Sequence, residues 1–262
     1  MSLGRKNPDS RVNHVYYVNM SIHRFVSRLY SIEVNFKKIL EVLRHHNQTT
    51  PTGKKIKFSA VIMKAIALTY AFRDSDGTQP YRRLSGYPPQ FAWQKSFQSK
   101  TIDISLMLVR EFDNEKQQTL NYRFKSVDQQ TVAQLSQRLI EIQTLPEDEV
   151  DQFQQLKKIA KLPRFLLYCL LQLTKIPAIR AQSTAPTSLS ILSKFDGQFY
   201  GEHISMFTLG KINPDTHTTQ LNWNIDHRLG FGLHFEPFFN HLKALLEDPE
   251  FLIKELSETP NE

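Results

Sequence analysis

A single cysteine, Cys169, in 262 residues excludes an internal disulfide framework and suits a reducing compartment. It lies in the apolar run Phe165–Leu173, where a buried, inert thiol is expected rather than a nucleophile. That run, FLLYCLLQL, is the longest apolar stretch, yet it is about half the length a spanning helix needs. It therefore reads as a buried helix, and no membrane contact is expected. The first residues, MSLGRKNPDSRVNH, lack the apolar segment that export requires. Residues 1–13 read as a flexible arm, and a cytoplasmic location is the expectation. Among the nine histidines no pair has the spacing of a metal site such as H-E-x-x-H, so no metal is expected. Internal repeats, low-complexity tracts and flexible linkers are also missing.

What is present is ordinary globular composition, 40% hydrophobic and 23% charged, with a basic balance of +7. A basic chain invites a nucleic-acid reading. The cations are spread along the sequence, however, and Gly53–Lys57 and Tyr81–Arg83 are its compact clusters. Neither belongs to a nucleic-acid motif. A solvated basic face or a phosphate-bearing small ligand is the better expectation, and no nucleic-acid partner is predicted.

Strand and helix patterns interleave from end to end, which predicts one mixed α/β domain over residues 1–262. HVYYVNM (His14–Met20) reads as a strand. Phe36, Ile39, Leu40 and Leu43 fall at helical spacing. Ser59 is placed to cap a helix over Ala60–Phe72 that is apolar on nearly all sides, hence buried. Arg73–Gln98 reads as loop, punctuated by Gly77, Pro80, Gly86, Pro88 and Pro89. Thr101–Val109 and Thr119–Phe124 flank a polar stretch and read as a hairpin. A third helix is expected from near Asp128, and Leu145–Gln152 is an acidic break before further helices, one of them starting at Pro163. Thr187–Leu192, Ile204–Gly210 and Thr219–Ile225 read as strands, and a closing helix is placed from Pro237.

The chemistry concentrates in NWNIDHRLGFG, residues 222–232. His45 and His46 suit a helix C-terminus, whereas His227 stands between Asp226 and Arg228, at a strand end and before Gly230 and Gly232. A neutral imidazole there can act as a general base near neutral pH, and the glycines would let a substrate approach the backbone. The same spacing is also that of a strand-end histidine within a local charge cluster.

The segment NIDHRLGFG, with FEPFFNHLKALLEDPEFL after it, resembles the C-terminal signature of the 2-oxo-acid dehydrogenase acyltransferases, D-H-R-x-x-D-G followed by a helix ending L-L-E-[DN]-P. Asp226, His227, Arg228 and Gly232 match, as do Leu245, Leu246, Glu247, Asp248 and Pro249. SLSILSKF (Ser188–Phe195) is similar to that family's T-I-S-N-L-G segment, with Ser190 at the serine, and KFSAVIMKAIALTYAF to its early buried helix.

The resemblance implies the chloramphenicol acetyltransferase-like fold, a two-layer sandwich of a mixed β-sheet with helices packed on it. It implies acyl transfer from a coenzyme A thioester to a thiol, hydroxyl or amine on a small-molecule or carrier acceptor. His227 would be the general base, and Ser190, with Ser188 as second choice, would donate to the oxyanion. Asp226, Arg228, Phe231 and Gly232 would support the histidine loop, and the site would be a channel between subunits of a homotrimer. Phe231 stands where the family has an aspartate, Ser193 replaces a glycine and Ile191 an asparagine. No lipoyl or subunit-binding domain is expected, so a stand-alone acyltransferase is the leading expectation. A non-catalytic trimeric relative used for assembly or ligand binding is the alternative.

Overall fold

The computed structural model describes residues 27–88, 96–112, 115–192, 197, 204–230 and 232–257. The expected strand at His14–Met20 lies outside them, and so do Phe231 and Ser193.

Among the described residues six strands form one mixed sheet: β1 (Ser27–Asn35), β2 (Ile104–Phe112), β3 (Glu115–Phe124), β4 (Thr187–Ile191), β5 (Ser205–Leu209) and β6 (Thr218–Asp226). Their spatial order is β1-β6-β5-β4-β2-β3. β4 runs parallel to both β2 and β5, and the remaining pairs are antiparallel.

Alternation along the strands separates two faces. On one, Leu106, Leu189, Phe207, Leu221, Trp223 and Ile225 are buried against helices. On the other, the strand register aligns Ser105, Ser188, Ser190, Thr208, Asn222 and Asn224, a polar set that is buried as well.

The helical layer begins with α1 (Lys37–Thr49), which turns Ile39 and Leu43 inward, and α2 (Phe58–Ala71), which is enclosed on almost every side. α3 (Val132–Thr144) follows the hairpin. It is fixed at its start by a capping box, in which Thr131 accepts from the Gln134 amide and the Gln134 side chain accepts from the Thr131 amide. α4 (Asp151–Ala160), α5 (Arg164–Leu173) and α6 (Pro177–Ser183) lead into β4, and α7 (Gly232–Glu247) and α8 (Pro249–Ser257) close the chain. Trp223 centres the core. Its ring stacks on Phe207 at 5.1 Å and on Phe238 at 4.5 Å, and its Nε1–H donates to Ser205 Oγ at 2.8 Å. The same hydroxyl lies 3.1 Å from Tyr70 Oη, and burial pushes that phenol up to about 12.

Several boundaries differ from the sequence reading. The α2 cap position is Lys57, with no side-chain cap bond, so Ser59 sits inside the helix. The polar stretch between the hairpin strands is itself mostly strand, because the strong pairing of Leu108 with Leu120 extends through Arg110 and Gln118. α7 starts at Gly232, so Pro237 is interior to it. The largest reversal concerns α5: none of its residues is buried, and Cys169 is exposed.

Candidate active site

β6 ends at Asp226, and the chain then makes a single 3-10 turn over His227–Leu229. Asp226 caps that turn by accepting from the Arg228 amide at 3.0 Å. Its carboxylate also takes the Arg228 guanidinium in a fork, with Nε at 2.9 and 3.1 Å and Nη2 at 2.5 Å. Both side chains are largely sheltered. The two charges that flank the histidine in sequence thus pair with each other past it.

The turn is tied down on two further sides. The Asp226 amide donates to the Ile204 carbonyl at 2.8 Å, and Arg83 Nε donates to the Leu229 carbonyl at 2.7 Å. Arg83, singled out in sequence only as part of a basic cluster, is therefore a brace for this loop. The reading of Gly230 as room for a substrate is corrected: its backbone is extended, and an added Cβ would lie 2.8 Å from Leu84 Cδ2 and 3.2 Å from Phe235 Cε1. Glycine is needed there because two core side chains already occupy the space.

His227 is half-buried, and its ring lies edge-on to Phe235 of α7 at 5.9 Å. Burial, and then the nearby Arg28 cation, lower its pKa below the ordinary 6.5, while Asp226 pulls weakly the other way. Asp226 is already committed to Arg228, which explains why it does not win. The imidazole is neutral at pH 7, the protonation state a base requires.

Ser190 and Ser188 lie elsewhere. Both are buried on the polar face of β4, with Ser188 opposite Met206 and Ser190 opposite Thr208, which in turn faces Asn222. His227 follows Asn222 by five positions on β6. At roughly 3.3 Å per residue and about 4.8 Å per strand, that puts the His227 backbone on the order of 16 Å along and two strands across from Ser190. The His227 ring, moreover, packs toward α7 on the helical side, whereas the serines face the opposite side. Within one protomer the structure does not bring the candidate base and the candidate oxyanion donor together.

Near Ser188 the polar face opens into a cleft of about 320 Å³. Ser105, Asn121, Arg123, Gln152, Arg180 and Ser188 are among its walls. Arg123 is held rigidly: Nε and Nη2 donate to Asp103 Oδ2 at 2.9 and 2.5 Å, and Nη1 and Nη2 donate to the Gln182 and Ala181 carbonyls. Sequence reading missed this cleft entirely. Its makers come from the hairpin, α4, α6 and β4, and only the register of Ser105 with both Arg123 and Ser188 joins them. Metal-ligating clusters are absent among the described residues.

No protein-family model and no curated protein matches the chain. Solved structures do. A dihydrolipoamide acetyltransferase from Azotobacter vinelandii superposes with a TM-score of 0.59 at 15% identity, over 96% of this chain and 93% of that one. A probable dihydrolipoamide acetyltransferase from Listeria monocytogenes gives 0.58 at 13% identity, over 94% and 95%. A chloramphenicol acetyltransferase gives 0.56 at 14% identity, over 89% and 94%. The mixed six-stranded sheet with helices packed on it is thus the fold that dihydrolipoamide acetyltransferase cores share with chloramphenicol acetyltransferase, and this chain has that chloramphenicol acetyltransferase-like fold.

Proposed function

We propose that the protein is a stand-alone acyltransferase that works as a homotrimer and moves an acyl group from a coenzyme A thioester to a thiol, hydroxyl or amine acceptor. His227 takes the proton from the acceptor as it attacks the thioester carbonyl, and Ser190, or failing it Ser188, donates to the developing oxyanion. The donor enters by the polar cleft, where Arg180 favours its phosphates. Proton abstraction of this kind contributes typically a hundredfold to ten-thousandfold, and one oxyanion donor a hundredfold to a thousandfold.

One observation carries this reading. The loop that holds His227 is braced by the Asp226–Arg228 fork and by Arg83, and burial keeps the ring neutral on the side of the sheet away from the serines. The candidate base and the candidate oxyanion donors lie far apart within one protomer, so a second copy is called for to bring such a pair together. The fold supports the same reading, because its solved examples include acetyltransferases, and the Azotobacter vinelandii structure concerns the roles of a serine, a histidine and an asparagine in that enzyme's mechanism. Phe231 replaces the acidic residue of the signature, which favours the second reading, a non-catalytic trimer that binds a ligand.

The deciding experiment is thiol release from several acyl-CoAs. His227→Ala should lower the rate at least a hundredfold, and equal rates in both proteins would sink the enzyme reading. Co-expression of His227→Ala with Ser190→Ala protomers should restore activity, since mixed trimers contain seams where an intact histidine meets an intact serine. Activity should hold from neutral pH down to about 6.5 and decline below it, because the lowered pKa keeps the base unprotonated until then.

A further inference from the structure

The helices between the hairpin and β4 form the least expected surface of the molecule. α4 is anchored. Phe153 is buried under the Arg110 guanidinium, 5.0 Å from its ring centroid, and Gln152 exchanges two hydrogen bonds with the Arg123 backbone at 2.9 and 2.7 Å. The far end is anchored too, by buried Pro177 and by the Arg123 bonds to α6. Between these ties α5 stands out with Phe165 68%, Tyr168 63% and Leu171 57% exposed, at i, i+3 and i+6 on one broad face. Leu156 and Ile159 of α4 extend the apolar surface. Apolar patches of this kind mark interaction sites.

Charge decides what they meet. From Gln152 to Phe195 the sequence contains no aspartate or glutamate. Lys158, Lys161, Arg164 and Lys175 flank the apolar stretch in sequence, are exposed, and make no ion pair among the described residues. A second copy seated on the same patch would press like charges together with no acid on the segment to offset them. An anionic bilayer supplies the complement to both features, headgroups for the cations and acyl chains for the aromatic and leucine side chains.

We propose that α4 and α5 dock the protein on the surface of a negatively charged lipid bilayer. α5 lies in the interface with Phe165, Tyr168 and Leu171 among the acyl chains and the four cations at headgroup level. No spanning segment is required, which is why the shortness of FLLYCLLQL does not argue against it. Docking here would also bring the neighbouring cleft, whose walls include Gln152 and Arg180, close to the membrane.

The test uses the purified full chain in flotation assays with phosphatidylcholine vesicles and with mixed phosphatidylglycerol–phosphatidylcholine vesicles. Binding is expected to the mixed vesicles and to weaken with salt. The triple change Phe165→Asp, Tyr168→Asp and Leu171→Asp should lower partitioning roughly a hundredfold, and Lys158→Glu with Lys161→Glu and Arg164→Glu at least about tenfold. These side chains are exposed, so the thermal midpoint should be unchanged in both variants and certifies their folding. Absence of vesicle binding overturns the proposal, and so does binding that survives the aspartate changes. Particles larger than a trimer that fall apart in the aspartate variant, without vesicle binding, would assign the patch to contacts between copies instead.

Discussion

α2 and α5 are made of similar material and have opposite fates. FSAVIMKAIALTYA and RFLLYCLLQL are both apolar around most of their circumference, the pattern that ordinarily predicts a buried helix. α2 meets that prediction, with Ile62, Met63 and Ile66 wholly enclosed, while α5 buries nothing. Composition states what a helix would gain from burial, and only its neighbours determine whether burial happens. α2 carries small buried residues, Ala60, Ala65 and Ala67, and α3 and α7 pack against it. α5 has no alanine, and its bulky side chains face outward from two anchored ends.

The sharpest way to break the contrast is a charge. Lys64 of α2 is buried, and its ammonium donates to the Asp128 and Gln130 carbonyls at 3.1 and 2.7 Å and lies 3.5 Å from Glu255 of α8. Lys64→Ala leaves that carboxylate and two carbonyls buried without their cation. A loss of about 3–5 kcal/mol is expected, read from the urea midpoint. Lys158→Ala or Lys161→Ala on the exposed side should move the same midpoint by no more than about 0.5 kcal/mol.

Next in size is Gly230→Ala, which asks whether the histidine loop belongs to the packed or the open part of the molecule. Its Cβ would meet Leu84 and Phe235 at sub-van der Waals distances, so Leu84 or the Phe235 ring must shift. About 1–3 kcal/mol of destabilisation is expected. Phe235 also contacts the His227 ring, so if the proposed acyl transfer is this protein's activity, its rate should fall with it. An unchanged melting temperature would show that this loop yields more easily than its neighbours suggest.

Elements with strict periodicity were legible in the sequence: α1, α3, the alternation of Leu221, Trp223 and Ile225 in β6, and the boundary at His227. The signature around Asp226, His227 and Arg228 located the loop, but not the pairing that removes Asp226 from the histidine. That pairing depends on a tight turn folding the Arg228 side chain back over its own backbone, which spacing does not encode. The cleft was illegible for a different reason. Ser105, Arg123 and Ser188 come from three separate segments, and only strand register makes them neighbours. The exposure of α5 was illegible because periodicity reports what a helix could bury and is silent about whether anything packs against it.

A smaller effect separates buried titratable groups from exposed ones. His241 of α7 packs against Phe72 at 4.3 Å and Tyr81 at 6.2 Å, and burial lowers its pKa below 6.5. The unfolded chain therefore binds the proton more readily, and stability is complete above about pH 6.5 and erodes as the pH falls toward the lowered folded value. His227 contributes in the same sense. His241→Phe removes one titrating group and keeps the ring contacts, so its unfolding midpoint should change less between about pH 7 and 5 than that of the wild type. A steeper dependence in the variant would place the buried proton sink elsewhere.

The smallest expected effect is the most informative about α5. Truncating a buried leucine typically costs about 2–5 kcal/mol, because a cavity replaces well-packed atoms. Leu171 is more than half exposed, so Leu171→Ala creates no cavity, and alanine is the better helix former by a few tenths of a kcal/mol. Chemical denaturation of the isolated protein should therefore give a change within about 0.5 kcal/mol of zero. A loss of 2 kcal/mol or more, on the scale of about 2–5 kcal/mol for a core leucine, would mean that something in solution covers α5 and unfolds with it. Dilution then identifies the cover: a second copy of the chain makes the loss depend on protein concentration, and a segment of the same chain does not.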